Sequence, residues 1–196
     1  DGSTVLIELL PNDTLASINI ESNIPKGKFF GFAASRKLTI ELVEKMLIDK
    51  GTKIKPFIKT VGATEVADMP FFYVDKVEID DTQNKTIITA YDAIYLADKL
   101  TIESLNINYP LTLYDFTERL VEALNCTLDA DFTGVNPTLQ DDTTNLDGTE
   151  TLATLLNAIA EATGTICICS GNDSITFKTL DKTPADTILP GTYFNF

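Results

Sequence analysis

Histidine and tryptophan are absent from this chain of 196 residues. Without imidazole the chain lacks the usual general base at neutral pH, the Ser-His-Asp and Cys-His nucleophilic systems, and the most frequent nitrogen ligand for metals. A glycoside hydrolase needs two carboxylates in a sugar-binding cleft, and no acidic residue here stands apart from the predicted surface faces. We therefore expect no catalytic residue, no cofactor and no metal ligand, and a protein that is not an enzyme.

Cysteine is scarce, with three residues, and three cannot all pair within one chain. The number is also too low for the disulfide framework of a small secreted domain. Cys126 stands alone, whereas Cys167 and Cys169 lie in an apolar run at residues 165–169. This setting favours buried free thiols over a redox pair or a metal-binding pair.

Positive charge is scarce as well, because 15 basic residues face 29 acidic ones and the net charge is −14. Proteins that bind nucleic-acid phosphates concentrate Lys and Arg on one surface, so the charge argues against direct nucleic-acid binding. The imbalance is uneven, since residues 120–177 contain nine acidic residues and no basic one. No apolar run approaches the roughly 20 residues of a membrane span, and we expect no membrane contact.

Apolar residues make up 44% of the chain, an ordinary share for a globular protein with a real core. In the first ninety residues apolar and polar side chains alternate, most clearly at Leu38, Ile40 and Leu42, as in strands with one buried face. The segments at residues 71–79 and 85–91 are predicted to form a hairpin around an Asp-rich turn. Pro56 favours an edge position for the strand at residues 54–60. We predict strands at residues 5–10, 16–20, 35–43, 54–60, 71–79 and 85–91.

A helical pattern follows the hairpin. Asp92 can cap a short helix that extends to residue 99. Apolar residues at helical spacing then predict two longer helices, one beginning after Pro110 and one starting at Gly148 or Thr149 and ending at Gly164. Their apolar stripes, which we interpret as core, consist of Leu113, Phe116, Leu120 and Leu124 in the first helix and Leu152, Leu155, Leu156 and Ile159 in the second.

The order of elements is β-rich, then helical, then β again, because a last hairpin is predicted at residues 166–169 and 174–180. This order predicts an α+β fold and lacks the regular alternation of a doubly wound sheet. We expect a barrel-like β domain at residues 1–91. The second domain, at residues 92–196, would contain the two amphipathic helices and the C-terminal hairpin.

Several motifs that can carry chemistry are weak in this sequence. Residues 27–31 contain two glycines but lack the spacing and the Lys-Ser/Thr ending of a phosphate-binding loop, and a turn with a close backbone approach explains them better. Ser35 and Ser170 are interpreted as turn hydroxyls. A calcium site is an alternative to a solvated loop for the acidic residues Asp129, Asp131, Asp141, Asp142 and Asp147, although the Gly and the terminal Glu of an EF-hand loop do not both follow Asp129 and Asp131.

Aromatic residues gather in two short runs of the β-rich part. We interpret them as filling for the barrel, with a role in a subunit interface as the alternative for some of them. The runs consist of Phe29, Phe30 and Phe32, and of Phe71, Phe72 and Tyr73.

Several segments together resemble a known family. They are residues 31–40, 72–75 and 86–93, then 109–113 before a predicted helix and 151–164 before a predicted hairpin. In this order they are similar to the N-terminal region of baseplate hub and tail-associated proteins from phages and prophages of Gram-positive bacteria. The resemblance spans about residues 30 to 180, and it is the order of the motifs that is specific.

The resemblance implies a homotrimeric hub at the virion tail tip, assembled in the bacterial host cytoplasm. Its β-rich domain would be related to tail-tube proteins and would form a ring in contact with the tube, distal tail and tape-measure proteins. Two departures exist: Thr151 is not followed by the Arg common in relatives, and the usual later ring domain is missing or cut off after Phe196. Catalytic activity in the family belongs to that later region, so no catalytic residue is carried over.

Two other functions stay open from the sequence. The chain can be the N-terminal scaffold of a tail-associated lysin whose peptidoglycan hydrolase lies beyond residue 196. Alternatively it can be a module that binds cell-wall carbohydrate as a monomer. In the hub, we expect part of the acidic segment 120–177 to face the channel or its plug, because an acidic lining would repel DNA over a Debye length of roughly 8 Å.

Overall fold

The β-rich half of the chain forms a curled sheet, and the remaining half adds helices and a second sheet. A computed structural model describes residues 14–59, 66–105, 107–130, 132, 135–139, 148–171 and 173–179. The strands are β1 (Leu15–Ser22), β2 (Phe32–Ala34), β3 (Arg36–Leu42), β4 (Lys53–Ile54), β5 (Phe57–Lys59), β6 (Val66–Asp68), β7 (Phe72–Asp80), β8 (Lys85–Tyr91), β9 (Leu111–Thr112), β10 (Thr127–Ala130), β11 (Thr138–Leu139), β12 (Thr165–Ser170) and β13 (Ser174–Thr179). The helices are α1 (Ala93–Ala97), α2 (Leu113–Glu122) and α3 (Leu152–Thr163), with a 3-10 turn at Ile102–Ser104.

The first sheet is antiparallel and has the order β1-β3-β8-β7-β4. Its inner face is built by the predicted alternation, because Leu38 pairs with Ala90 and Ile40 pairs with Ile88, and all four are buried. Other residues that pack on this face come from β1, from β7 and from the segment between β3 and β4; they include Leu15, Ile20, Met46, Ile48 and Val77. A curled sheet closed by one connecting segment therefore has its own small core.

The predicted edge strand at residues 54–60 is divided in the structure. Pro56 is buried and has no N–H to donate, so it interrupts the ladder. On one side of it β4 pairs with β7 at the edge of the first sheet, and on the other side β5 pairs with β6. The prediction of one continuous strand was wrong, while the predicted hairpin of β7 and β8 is confirmed. The strand predicted at residues 5–10 lies outside the described residues.

The second sheet has the order β10-β13-β12-β2 and mixes parallel and antiparallel pairs. Helices α2 and α3 pack on one of its faces, where Leu120 and Leu156 share a buried cluster with Cys167 and Ile175. The predicted apolar stripes of both helices are therefore core. With this second layer the chain is α+β, which confirms the predicted fold class.

The ends of α3 follow the capping rules, although its start differs from the prediction. The helix begins after Thr151, whose hydroxyl accepts a hydrogen bond from the Thr154 N–H at 3.2 Å. The predicted starts at Gly148 and Thr149 were wrong, because the chain is still extended at Thr151, which bridges to Thr101. Gly164 ends the helix with a φ of 66°, a left-handed conformation that suits glycine.

One strand from the N-terminal half belongs to the second sheet. β2 pairs in parallel with β12, and the Gly31 N–H donates to the Thr165 carbonyl at 2.7 Å. Gly31 has a φ of 75°, and a Cβ there would lie 3.2 Å from the Cα of Glu161, so both conformation and space favour glycine. Buried clusters nevertheless lie on either side of residue 91, and the division into domains at residues 1–91 and 92–196 stays a prediction.

Replacement of Leu156 by alanine should destabilise the protein strongly. Leu156 is fully buried between α3 and the second sheet, so truncation leaves a cavity and lowers the free energy of unfolding by about 2–5 kcal/mol. The same change at Leu47, which is 89% exposed, should change it by less than about 0.5 kcal/mol. Urea unfolding followed by circular dichroism measures both variants, and equal losses would contradict this assignment of the core.

Candidate functional site

The three thiols are buried away from solvent. Cys126, Cys167 and Cys169 are free. Cys167 and Cys169 are two residues apart on β12, so their side chains lie on the same face of the sheet, and both pack in the cluster formed with the helices. Burial raises the pKa of Cys126 to about 11 and also raises the pKa values of Cys167 and Cys169 well above that of a free thiol. The prediction of buried free thiols is confirmed, and in this state they are poor nucleophiles.

The acidic residues weighed as a calcium site are only partly visible. Asp129 is exposed on β10, and its carboxylate accepts a hydrogen bond from the Thr176 hydroxyl at 3.4 Å. Asp131, Asp141, Asp142 and Asp147 lie outside the described residues. Within the described part of the chain, no three His, Cys, Asp or Glu residues are grouped so that they can hold a metal ion. The calcium alternative therefore rests on the sequence alone.

The two serines interpreted as turn hydroxyls differ in their surroundings. The Ser170 hydroxyl lies 2.8 Å from that of Thr176 and donates to the Ser174 carbonyl at 3.3 Å, so it is held within the β12–β13 hairpin. Ser35 lies between β2 and β3, and its carbonyl accepts a hydrogen bond from the Asn23 N–H at 2.8 Å. Neither arrangement provides a neighbouring base.

The glycine-containing loop before β2 is a turn that displays aromatic side chains. Gly27 and Gly31 have φ angles of 77° and 75°, and the Lys28 N–H donates to the Pro25 carbonyl at 3.3 Å. Phe29 and Phe30 are 77% and 56% exposed, so the prediction that they fill a barrel was wrong. Their exposure follows from the turn at Gly31, after which Phe32 enters the second sheet and is buried. Phe72 fills the first core as predicted.

An apolar groove of about 350 Å³ lies beside this loop. Ile166 and Ile168 form part of it, and because they alternate along β12 with Cys167 and Cys169, the groove lies on the face of the second sheet opposite the helices. This groove is the candidate functional site. It is lined by Ser22, Ile24, Phe32, Ala34, Arg36, Ile166, Ile168, Lys178 and Thr179.

The charges around the groove differ from those elsewhere. Lys26, Lys28 and Lys178 form no ion pair with any acidic residue in the described part of the chain, and Arg36 forms none within 4 Å, although its charge acts on the buried Asp92. Most other basic residues do form such pairs at 2.6–3.3 Å, with Lys37 as an exception in the described part of the chain; they are Lys45, Lys50, Lys53, Lys76, Lys85, Lys99 and Arg119. Unpaired positive charge thus collects here in a chain of net charge −14. We call the groove together with loop residues 24–30 the cationic apolar patch.

A buried carboxylate holds the base of the patch in place. Asp92 is fully buried, caps α1 through the Tyr95 N–H at 3.3 Å, and accepts a second hydrogen bond from the Arg36 N–H at 2.9 Å. It therefore joins the start of β3, at the groove, to the start of α1, and its predicted capping role is confirmed. Burial raises the pKa of Asp92 to about 7, and the hydrogen bonds to the carboxylate oppose that rise.

A second polar contact joins the two sheets. The ammonium of Lys53 on β4 lies 2.8 Å from the carboxylate of Asp173 in the β12–β13 hairpin. The same ammonium lies 5.2 Å from the centroid of the Phe71 ring and 5.3 Å from that of Tyr73, within the range of cation–π attraction. The two sheets are therefore joined by the short connection from β2 to β3 and by this ion pair, while Asp92 ties β3 to α1, which packs in the second core.

Solved structures similar to this chain include two prophage tail proteins. The 43 kDa tail protein of prophage MuSo2 from Shewanella oneidensis is 14% identical, with a TM-score of 0.55 over 88% of this chain and 57% of that protein. This chain has the fold of that tail protein. Prophage tail protein gp18 from Listeria monocytogenes EGD-e is 15% identical, with a TM-score of 0.48 over 74% of this chain and 40% of that protein.

The comparisons bear on fold and not on individual residues. No protein-family model and no curated protein matches the sequence. The chain spans little more than half the length of the Shewanella protein and less than half that of the Listeria protein. No helix in the described ranges has the length and apolar character needed to cross a membrane.

The sequence alone did not reveal the patch. Lys26, Lys28 and the neighbouring phenylalanines are adjacent in the chain, and their mixture of positive charge and aromatic rings is a visible signal in an acidic protein. Lys178 and the isoleucines of β12 are distant in sequence from this loop. The parallel pairing of β2 with β12 brings the hairpin that carries them beside the loop.

Asp92→Asn should change how stability depends on pH. The pKa of Asp92 is about 7 in the folded protein and about 4 in an unfolded chain, so its protonation stabilises the folded state. That stabilisation is complete below about pH 4 and is lost as the pH rises through about 7. From about pH 5 to about pH 8 the wild type should lose about 2–3 kcal/mol relative to Asp92→Asn.

Urea unfolding at several pH values measures this difference. Asparagine keeps one oxygen, which accepts from the Tyr95 N–H so that the cap survives, while its amide nitrogen replaces the oxygen that accepts from the Arg36 N–H. Asp49→Asn is the matched control, because Asp49 is exposed and should leave the pH dependence unchanged. Parallel pH profiles for wild type and Asp92→Asn would show that the buried carboxylate does not titrate as described.

The thiols should react only after unfolding. Because all three are buried with raised pKa values, a thiol reagent such as Ellman's reagent should label the native protein very slowly at neutral pH. In denaturant the same sample should release three equivalents. Rapid labelling of the native protein would instead indicate an accessible, reactive cysteine.

Proposed function

We propose that this chain is a structural component of a phage or prophage tail, of the baseplate-hub type that caps the tail tube. The observation that carries the proposal is the match in fold to the Shewanella prophage tail protein over 88% of the chain. The ordered motifs across residues 30 to 180 point to the same class from the sequence. In this role the protein is a virion component at the tail tip, assembled in the host cytoplasm.

The burial of the reactive side chains supports a function in binding other proteins and not in catalysis. The three thiols pack in the second core, and Asp92, whose pKa is about 7, is committed to capping α1 and holding β3. The cationic apolar patch, by contrast, displays aromatic and basic side chains that have few contacts within the chain. Groups that could react are internal, and groups that could bind another protein are outside.

In the proposed hub, three copies form a ring that continues the tail tube and contacts the distal tail and tape-measure proteins. Closed rings of identical subunits bury surface that is exposed in one copy alone. The acidic segment 120–177 includes exposed Glu122, Asp129 and Glu161. Facing the lumen, such residues would repel DNA phosphates that pass within roughly 8 Å, a Debye length in physiological salt.

The N-terminal scaffold of a tail-associated lysin is the second candidate. The observation that favours it is the length of the Shewanella protein, of which this chain covers 57%. A longer gene product would then carry a peptidoglycan hydrolase after residue 196. A hydrolase sequence downstream of this segment in the gene would favour the scaffold over the simple hub.

The tail role predicts where the protein is found. Gold-labelled antibodies against this chain should bind one end of the tail in electron micrographs of particles induced from the host, and purified tails should contain the protein. Antibodies against a major capsid protein serve as the control for position. Particles with complete tails that lack the protein, or labelling confined to heads, would overturn the proposal. Turnover of peptidoglycan by this segment alone would overturn its non-enzymatic part.

A further inference from the structure

The loop of the cationic apolar patch exposes three large apolar side chains to solvent. Ile24, Phe29 and Phe30 are 58%, 77% and 56% exposed, and Ile24 continues directly into the apolar groove. Exposed apolar side chains that join into one surface mark sites of association, whereas scattered ones are ordinary. The patch therefore combines exposed aromatic and basic side chains, a composition found in binding surfaces.

The charge of the patch restricts the partner. Lys26, Lys28 and Lys178 have no acidic partner within the described residues, and all belong to the loop or to the groove lining, whereas the charge of Arg36 acts on the buried Asp92. A partner that covers them must supply carboxylates, because a basic or neutral surface would leave several positive charges without compensation. The partner surface is therefore acidic.

A second copy of this chain provides such a surface. Each copy has a net charge of −14, so two copies repel each other unless positive charge lies at their contact. On α2, Glu118 and Glu122 lie on the side that faces away from the core, and Glu122 is exposed. Arg119 pairs with Glu122 at 3.1 Å, so this face keeps a net negative charge.

The positions of the two surfaces suit a repeating contact. Helix α2 packs on the face of the second sheet to which Cys167 and Cys169 point, whereas the groove lies on the opposite face with Ile166 and Ile168. The patch of one copy cannot reach α2 of the same copy across the sheet. A contact between different surfaces of identical chains is heterologous, and such contacts produce closed rings or open filaments.

We infer that the cationic apolar patch binds the acidic outer face of α2 in a second copy of this chain. The inference deepens the proposed tail function, because it names the surfaces through which hub subunits join. It does not depend on where in the tail the ring is placed. Phe29 and Phe30 contribute apolar contact, and the lysines of the loop set the orientation through the carboxylates of α2.

Charge reversal on both surfaces tests the inference. Sedimentation velocity of the wild-type chain at increasing concentration should show self-association that weakens as salt is added. The variant Lys26→Glu with Lys28→Glu, and separately Glu118→Lys with Glu122→Lys, should each associate at least about tenfold more weakly, a loss of about 1.4 kcal/mol. An equimolar mixture of the two variants should associate again, because each supplies the charges that the other has lost.

The matched control reverses the same number of charges elsewhere. Lys45→Glu with Lys76→Glu changes two exposed lysines that form ion pairs outside the patch, and it should associate like the wild type apart from the change in net charge. Circular dichroism verifies that all variants remain folded. A second variant, Phe29→Ser with Phe30→Ser, leaves the charge unchanged and should also weaken association, since both rings are exposed in one copy.

Several results would overturn the inference. Wild-type chain that stays monomeric at every concentration would do so, as would patch variants that associate like the wild type or a mixture that fails to recover. Binding of monomeric chain to vesicles of anionic phospholipid, lost in the Lys26→Glu and Lys28→Glu variant, would assign the patch to a membrane surface instead. Self-association through the patch in a protein absent from tails would refute the tail function and leave this contact standing.

Discussion

The transfer of β2 from the N-terminal half into the second sheet is the constraint on which the rest of the structure depends. The transfer begins at Gly31, whose N–H bonds to the Thr165 carbonyl, and continues at Ala33, whose N–H donates to the Asn157 side chain at 2.7 Å. A three-residue strand thereby fixes where loop 23–31 leaves the surface. Without it, the exposed phenylalanines and the apolar face of β12 would have no defined relation to each other.

The Asp92 carboxylate lies at the same junction, and its burial costs free energy because the charged form is desolvated. Its hydrogen bonds from the N–H groups of Arg36 and Tyr95 favour the charged form, but desolvation is larger and the pKa rises to about 7. A neutral side chain would avoid this desolvation cost, but it would not act both as the cap of α1 and as the tie to β3. Together with the ion pair of Lys53 and Asp173, Asp92 makes the relative position of the two sheets a matter of polar geometry as well as packing.

Sequence patterns predicted the parts of the fold that depend on local periodicity. The alternation in β3 and the apolar stripes of α2 and α3 were readable because each element buries one side. The errors arose where distant contacts decide: Pro56 divides a strand between two pairings, and Thr151 remains extended because it bridges to Thr101. The groove was not predictable, since its floor joins Phe32 to Ile166 through a parallel pairing that no local signal encodes.

The same junction explains how an acidic chain can carry a basic surface. Lys26 and Lys28 lie in the loop that leads into β2, and Lys178 lines the groove beside β12, so their placement in one patch depends on the pairing of β2 with β12 and not on any single segment. An unfolded or partly folded copy would present neither the concentrated charge nor the groove. Binding through this patch is therefore available only to correctly folded copies, which is the condition that a ring of identical subunits requires if it is to close.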